Sequence, residues 1–335
     1  MSDVKRATTV LILLAATLGV SAQSVLFVKK GGQGNGQSWQ TAIGNLQQAL
    51  QVARAGQQIW VAAGEYYPTQ TNDRYASFVI PDGVALYGGF SGTEQSLSQR
   101  ALDRNPTILS GHIGSPAMDD NSLSVIRTYG VSSSTIVDGF IITGGNANLS
   151  STTGSEEGCG GAWFNDGSQG KKSSPTVRNC VFEQNEAQFG GAIFNHGERG
   201  ICRMVIQNCT FRQNKAGSGG GALYNSGLYG ICNTVVTSCN FVKNEAPYGA
   251  SIQNRADGGI ASPMLRDCAF RENIAHLSGS SIYNYRSDKA QCRPVLNECT
   301  FKNNKDGLGD TVSDPVGHKA NPRKKSSSVI MRPTY

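Results

Sequence analysis

Between residues 159 and 314 the apolar positions fall in runs of four to seven, and the same pattern returns about every thirty residues. Two anchors keep the repeats in step. The first is Cys-x-Phe-x-x-Asn, at Cys180, Phe182, Asn185; Cys209, Phe211, Asn214; Cys239, Phe241, Asn244; Cys268, Phe270, Asn273; and Cys299, Phe301, Asn304. The second is a small-residue run closing on Asn: GGAWFN at 160–165, GGAIFN at 190–195, GGALYN at 220–225, GASIQN at 249–254 and GSSIYN at 279–284, decaying to GDTVSD at 309–314. A unit of this length cannot bury an apolar face alone, so the repeats must stack as a solenoid.

The residue types choose which solenoid. Helical repeats need long runs at 3.6-residue spacing, whereas these units are dense in Gly, Asn, Ser and β-branched or aromatic residues. Each offers short extended pieces, such as Val205-Ile206, Cys209–Phe211 and Ala222–Tyr224, separated by turn-tolerant residues. That pattern predicts one coil of a parallel β-helix.

Parity locates a bend. Cys209 and Phe211 share a face at spacing two, but Ile206 lies three residues before Cys209, so alternation breaks at Asn208. The equivalent positions are Asn179, Ser238, Asp267 and Glu298, and Asn and Asp enter the left-handed region most readily. Two Asn columns, 185/214/244/273/304 and 165/195/225/254/284, predict amide ladders that hydrogen-bond along the stack.

The pairing of Phe-x-x-Asn with Gly-Gly-Ala-Ile/Leu resembles the repeats of chlamydial polymorphic outer-membrane proteins and of related bacterial right-handed β-helix proteins of the pectin-lyase-like class. The resemblance covers residues 159–314 and weakens over the last two coils. It implies an all-β, right-handed parallel β-helix and an exported surface protein.

Before the repeats, Lys5 and Arg6 precede an apolar stretch from Val10 to Val20 and a Val20-Ser21-Ala22 end, the pattern of a secretory signal peptide over 1–22. No other segment is apolar enough to span a membrane. Residues 23–158 form the opening of the β-helix. Here AIGNLQQALQVARAG places Ala42, Leu46, Ala49 and Ala53 on one helical face, widened by Ile43 and Leu50 and stopped at Gly56, predicting a helix that caps the open end. The GGQGNG run lacks a βαβ context and is no nucleotide signature. Irregular coils follow, with loops at 66–75, 91–105, 112–122 and 146–158, where function would sit.

Charge adds little. The net +6 falls to +5 once Asp3, Lys5 and Arg6 leave with the signal, and the tail at 315–335 alone holds five basic residues and no acidic one. The body is then near neutral, with no nucleic-acid face, and the tail reads as a solvated basic end.

The cysteines repeat as well. Cys180, Cys209, Cys239, Cys268 and Cys299 form one column; Cys202, Cys232 and Cys292 form another, with Ala261 in the gap. Stacked this way they act as small hydrophobes, and no CxxC pair suggests zinc. His112, His196, His276 and His318 share no spacing and are expected at the surface.

Two function classes remain. One is an exported structural and adhesive module that binds extracellular polysaccharide or a cell-surface protein. The other is a polysaccharide lyase or glycoside hydrolase, which needs placed carboxylates; Asp119-Asp120, Asp103, Arg104 and Asp138 are the groups available, and none is singled out as catalytic. No metal or cofactor site is assigned. The candidate binding surface is aromatic. If Ile193, Leu223, Ile252 and Ile282 point inward, period two turns Phe164, Phe194, Tyr224 and Tyr283 outward, interrupted by Gln253. Stacked rings at the coil spacing would offer a flat strip to sugars or to a partner's apolar patch, unless a loop covers it.

Overall fold

The computed structural model describes residues 24–114, 118–287 and 289–307, together with a final strand at Val312–Ser313. The expected signal peptide and basic tail, with His318, lie outside these residues. Among the described residues every pair of named strands is parallel, and each strand pairs with its equivalent one coil away. This is the β-helix that the repeat predicts.

One coil shows how the sequence builds it. Val205–Gln207 belongs to a first sheet of nine strands that begins at Val25–Val28. Asn208, at φ 52°, turns the chain into Thr210–Arg212, part of a second sheet of eight strands. Gln213, at φ 55°, makes another corner, leading to Lys215–Gly219 in a five-stranded sheet. Leu223–Ser226 then joins a third large sheet of eight strands, and Ile231–Cys232 a short sheet of three, before Val235–Thr237 opens the next coil.

The parity break is therefore a corner in every coil: Asn179, Asn208, Ser238, Asp267 and Glu298 all sit at φ between 52° and 54°. Ser and Glu accept this conformation less readily than Asn. The stacking of equivalent corners above and below holds them there.

The interior is one apolar column. Phe182, Phe211, Phe241, Phe270 and Phe301 are in register and stack with ring centroids 4.8, 4.9, 4.8 and 4.8 Å apart. Ile193, Leu223, Ile252 and Ile282 close it from the opposite sheet, and all four are fully buried. Cys180, Cys209, Cys239, Cys268 and Cys299 line the same core as free thiols. The second column pairs Cys202 with Cys232, and Ala261 packs with Cys292 in a small satellite cluster.

Both Asn ladders form, and their bonding explains why Asn is needed. Asn214 Nδ2 donates to Asn244 Oδ1 (3.0 Å) in the next coil and to the Phe182 carbonyl (2.9 Å) in the previous one. Its Oδ1 accepts from the backbone N–H and Nδ2 of Asn185. Only a neutral amide supplies two donors and an acceptor at one buried point. The second ladder runs from Asn165 to Asn284 with Nδ2···Oδ1 distances of 2.8, 3.0, 2.8 and 2.8 Å.

The capping helix is present but shorter than the pattern suggests, spanning Leu46–Val52. Asn45 is its N-cap, accepting from Gln47 N–H at 2.8 Å, so Ala42 and Ile43 lie before the helix and pack as extended chain. Leu46, Ala49 and Leu50 close the first coil against Val28 and Ile59. Among the described residues no helix is long and apolar enough to cross a membrane.

Candidate functional site

A long concave surface follows from the second corner. Gln184, Gln213, Lys243, Glu272 and Asn303, at φ 53°, 55°, 54°, 55° and 57°, each precede a ladder Asn. A left-handed residue turns the backbone sharply, so the following Asn points inward and the corner side chain stands clear of the core. Stacked corners leave a trough of about 830 Å³ that crosses several coils. Its walls carry Lys215, Lys243 and Lys305 against Glu186, Glu245 and Glu272.

Glu186, Lys215, Glu245, Ile274 and Lys305 are register neighbours, so charge of mixed sign runs along one column with Ile274 as its uncharged member. Lys243 reaches Glu272 at 3.6 Å along the corner column, and His276 reaches across to Glu245 at 2.8 Å. The result is a long, open, nearly neutral channel lined by donors and acceptors. Its corner column was missed in the sequence because Gln, Lys and Glu carry no left-handed preference; the signal was only their fixed place before the ladder Asn.

The aromatic column forms on the outer face of the third sheet, but it is no open surface. Phe164 stacks on Phe194 at 5.8 Å, and Phe194 on Tyr224 at 5.1 Å, yet their exposures are 1%, 0% and 1%. The direction expected from period two holds, since these rings lie outside the main core in a cluster with Cys159 and Phe189. Exposure does not, because loop 148–158 lies over them. Tyr283, beyond the interruption at Gln253, packs on Tyr248 at 4.9 Å and is partly exposed.

The loop is fixed by polar contacts at its rim. Glu156 accepts from Arg127 Nη1 (2.8 Å) and from Tyr129 Oη (3.2 Å), Glu157 accepts from Tyr75 Oη (2.9 Å), and Arg255 donates to Thr153 Oγ1 at 3.4 Å. Gly154, at φ +90°, seats against His196, where a Cβ would come within 2.8 Å of Nε2. His196 is accordingly mostly buried between Asp166 and Glu198 rather than a free surface residue, while His112 and His276 are exposed as expected. Cys159 lies at the loop's base, and burial pushes its thiol up to about 12.

The groups that a hydrolase would need are dispersed. Asp138 is buried and held by Arg100 (3.2 Å), Arg178 (2.7 Å) and Asn179 (2.9 Å), a clamp joining the early coils. Asp103 and Arg104 are exposed on a loop, and Asp119 is exposed on another. Among the described residues no three His, Cys, Asp or Glu side chains converge on a point that could hold a metal ion.

A search of curated proteins gives no match. A crystal structure of pectin methylesterase from Aspergillus niger aligns over 92% of both chains, at 14% identity and a TM-score of 0.38, a likeness too distant to bear on function. The family profile described as "Protein of unknown function (DUF1565)" matches residues 30–264, and the chain belongs to that family.

Proposed function

We propose that the chain is an exported structural and adhesive module that holds extended polysaccharide along the corner trough. The observation that carries this reading is the trough itself: it crosses several coils, presents the same corner positions at each one, and mixes ammonium, carboxylate and amide groups. An extended polar polymer with its own repeat matches such a surface group by group, and many weak contacts add up along it. The near balance of Lys and Glu favours a neutral or weakly acidic glycan over a polyanion. Export follows from the signal-like segment at 1–22, and a surface setting agrees with the resemblance of the repeats to those of chlamydial polymorphic outer-membrane proteins.

The test is retention on a panel of insoluble neutral and acidic polysaccharides. The protein should bind at least one glycan, and a Lys215→Ser/Lys243→Ser/Lys305→Ser variant with an unchanged melting temperature should lose that binding at least tenfold. Retention by no glycan, or undiminished retention of the triple variant, rejects the reading.

A further inference from the structure

Loop 148–158 lies across the stacked rings and carries little apolar side chain to place on them. Its sequence is NLSSTTGSEEG, and its one large apolar residue, Leu149, is half exposed to solvent. What holds it is the set of rim contacts from Glu156, Glu157, Thr153 and Gly154 described above. An apolar floor under a polar cover is a poor match, because the rings gain more from an apolar or sugar C–H face than from backbone.

Along the strip two polar side chains carry buried atoms with no hydrogen-bond partner. Arg127, in register with Phe164, has only 8% of its side chain exposed; its Nη1 meets Glu156, while Nε and Nη2 have no hydrogen-bond partner. At the other end of the strip Gln253, in register with Tyr224 and 9% exposed, leaves Oε1 unpartnered. Buried guanidinium donors are costly to leave unmade, and their fork matches a carboxylate through two nitrogens at once.

We propose that the strip is a lidded binding site for a carboxylate-bearing oligosaccharide, with loop 148–158 as the lid and Glu156 as the internal stand-in for the ligand's carboxylate. Opening releases Glu156 from Arg127. A sugar carboxylate then takes the Nε and Nη2 donors, pyranose faces lie on Phe164, Phe194 and Tyr224, and Gln253 Oε1 accepts from a sugar hydroxyl. The site is separate from the corner trough, on a different sheet, and does not depend on it.

The test is calorimetric titration of the full exported chain with cellotetraose and with the β-1,4-glucuronate tetramer, which differs by its carboxylates. Two variants should open the lid: Glu156→Gln, which removes the stand-in charge, and Gly154→Val, which clashes with His196. Both should bind the glucuronate tetramer at least about tenfold tighter than wild type, the gain for cellotetraose should be much smaller, and adding Arg127→Gln should abolish the gain. Faster alkylation of Cys159 reports that the lid has opened. An opened lid with no gain, a gain that survives Arg127→Gln, an equal gain for both tetramers, or failure of both variants to open the lid each overturns the proposal. Trough lysine substitutions should leave these affinities unchanged, so failure here is distinct from failure of the trough reading.

Discussion

Single side chains in this protein are stabilised by their equivalents one coil away, and that makes two of them sharp probes. Phe211 is fully buried with a ring on either side, so Phe211→Ala should cost about 3 to 5 kcal/mol in urea melts. Asn214→Ala should cost about 2 to 4 kcal/mol, because it leaves the buried Asn185 backbone N–H without its acceptor and removes the amide bond to the Phe182 carbonyl. Glu94 gives a pH signature. Its partial burial opposes ionisation, but the backbone N–H groups of Ser91, Gly92 and Thr93 outweigh this and hold its carboxyl near about 2, against an ordinary 4.5. A depressed carboxylate pKa stabilises the fold above the ordinary value and loses that contribution as pH falls from 4.5 toward 2. Melting curves of Glu94→Gln should therefore show a flatter acid limb over that window.

At the scale of elements, what the sequence made legible was what repeats. Cys-x-Phe-x-x-Asn fixed the core column, and the slip at Asn208 marked a corner, because a two-residue period cannot hide a one-residue insertion. The helix was legible in kind but overlong, since its pattern of Ala and Leu ran through Asn45, whose side chain stops it. The aromatic strip was right in direction and wrong in exposure. Its cover is a polar, non-repeating loop whose contact between Thr153 and Arg255 spans 102 residues, a distance over which no local pattern speaks. That element yields its own prediction: in wild type all nine thiols should resist iodoacetamide at neutral pH, and Gly154→Val should release Cys159 alone, the stacked cysteines remaining inside the coils. Labelling of the stacked column at the same rate would mean global unfolding instead of a moving lid.

The whole molecule is a one-dimensional stack, so stability is shared between neighbouring coils and weakest at the ends. The late coils are also the less well covered: Met264, Ile274, Leu277 and Val295 are exposed and Phe301 only partly buried. Hydrogen exchange should accordingly be fastest over 264–307 and slowest around Phe182–Phe241. The stack also gives the trough its length, since each coil adds one corner residue and one residue of the neighbouring column. The measurement that tests this account most directly is lysine acetylation with and without bound polysaccharide. Bound polymer should slow Lys215, Lys243 and Lys305 together while Lys29, Lys172 and Lys289 react as before. Protection of the latter three, or uniform reactivity of all six with polymer bound, would contradict a ligand held along the corner trough.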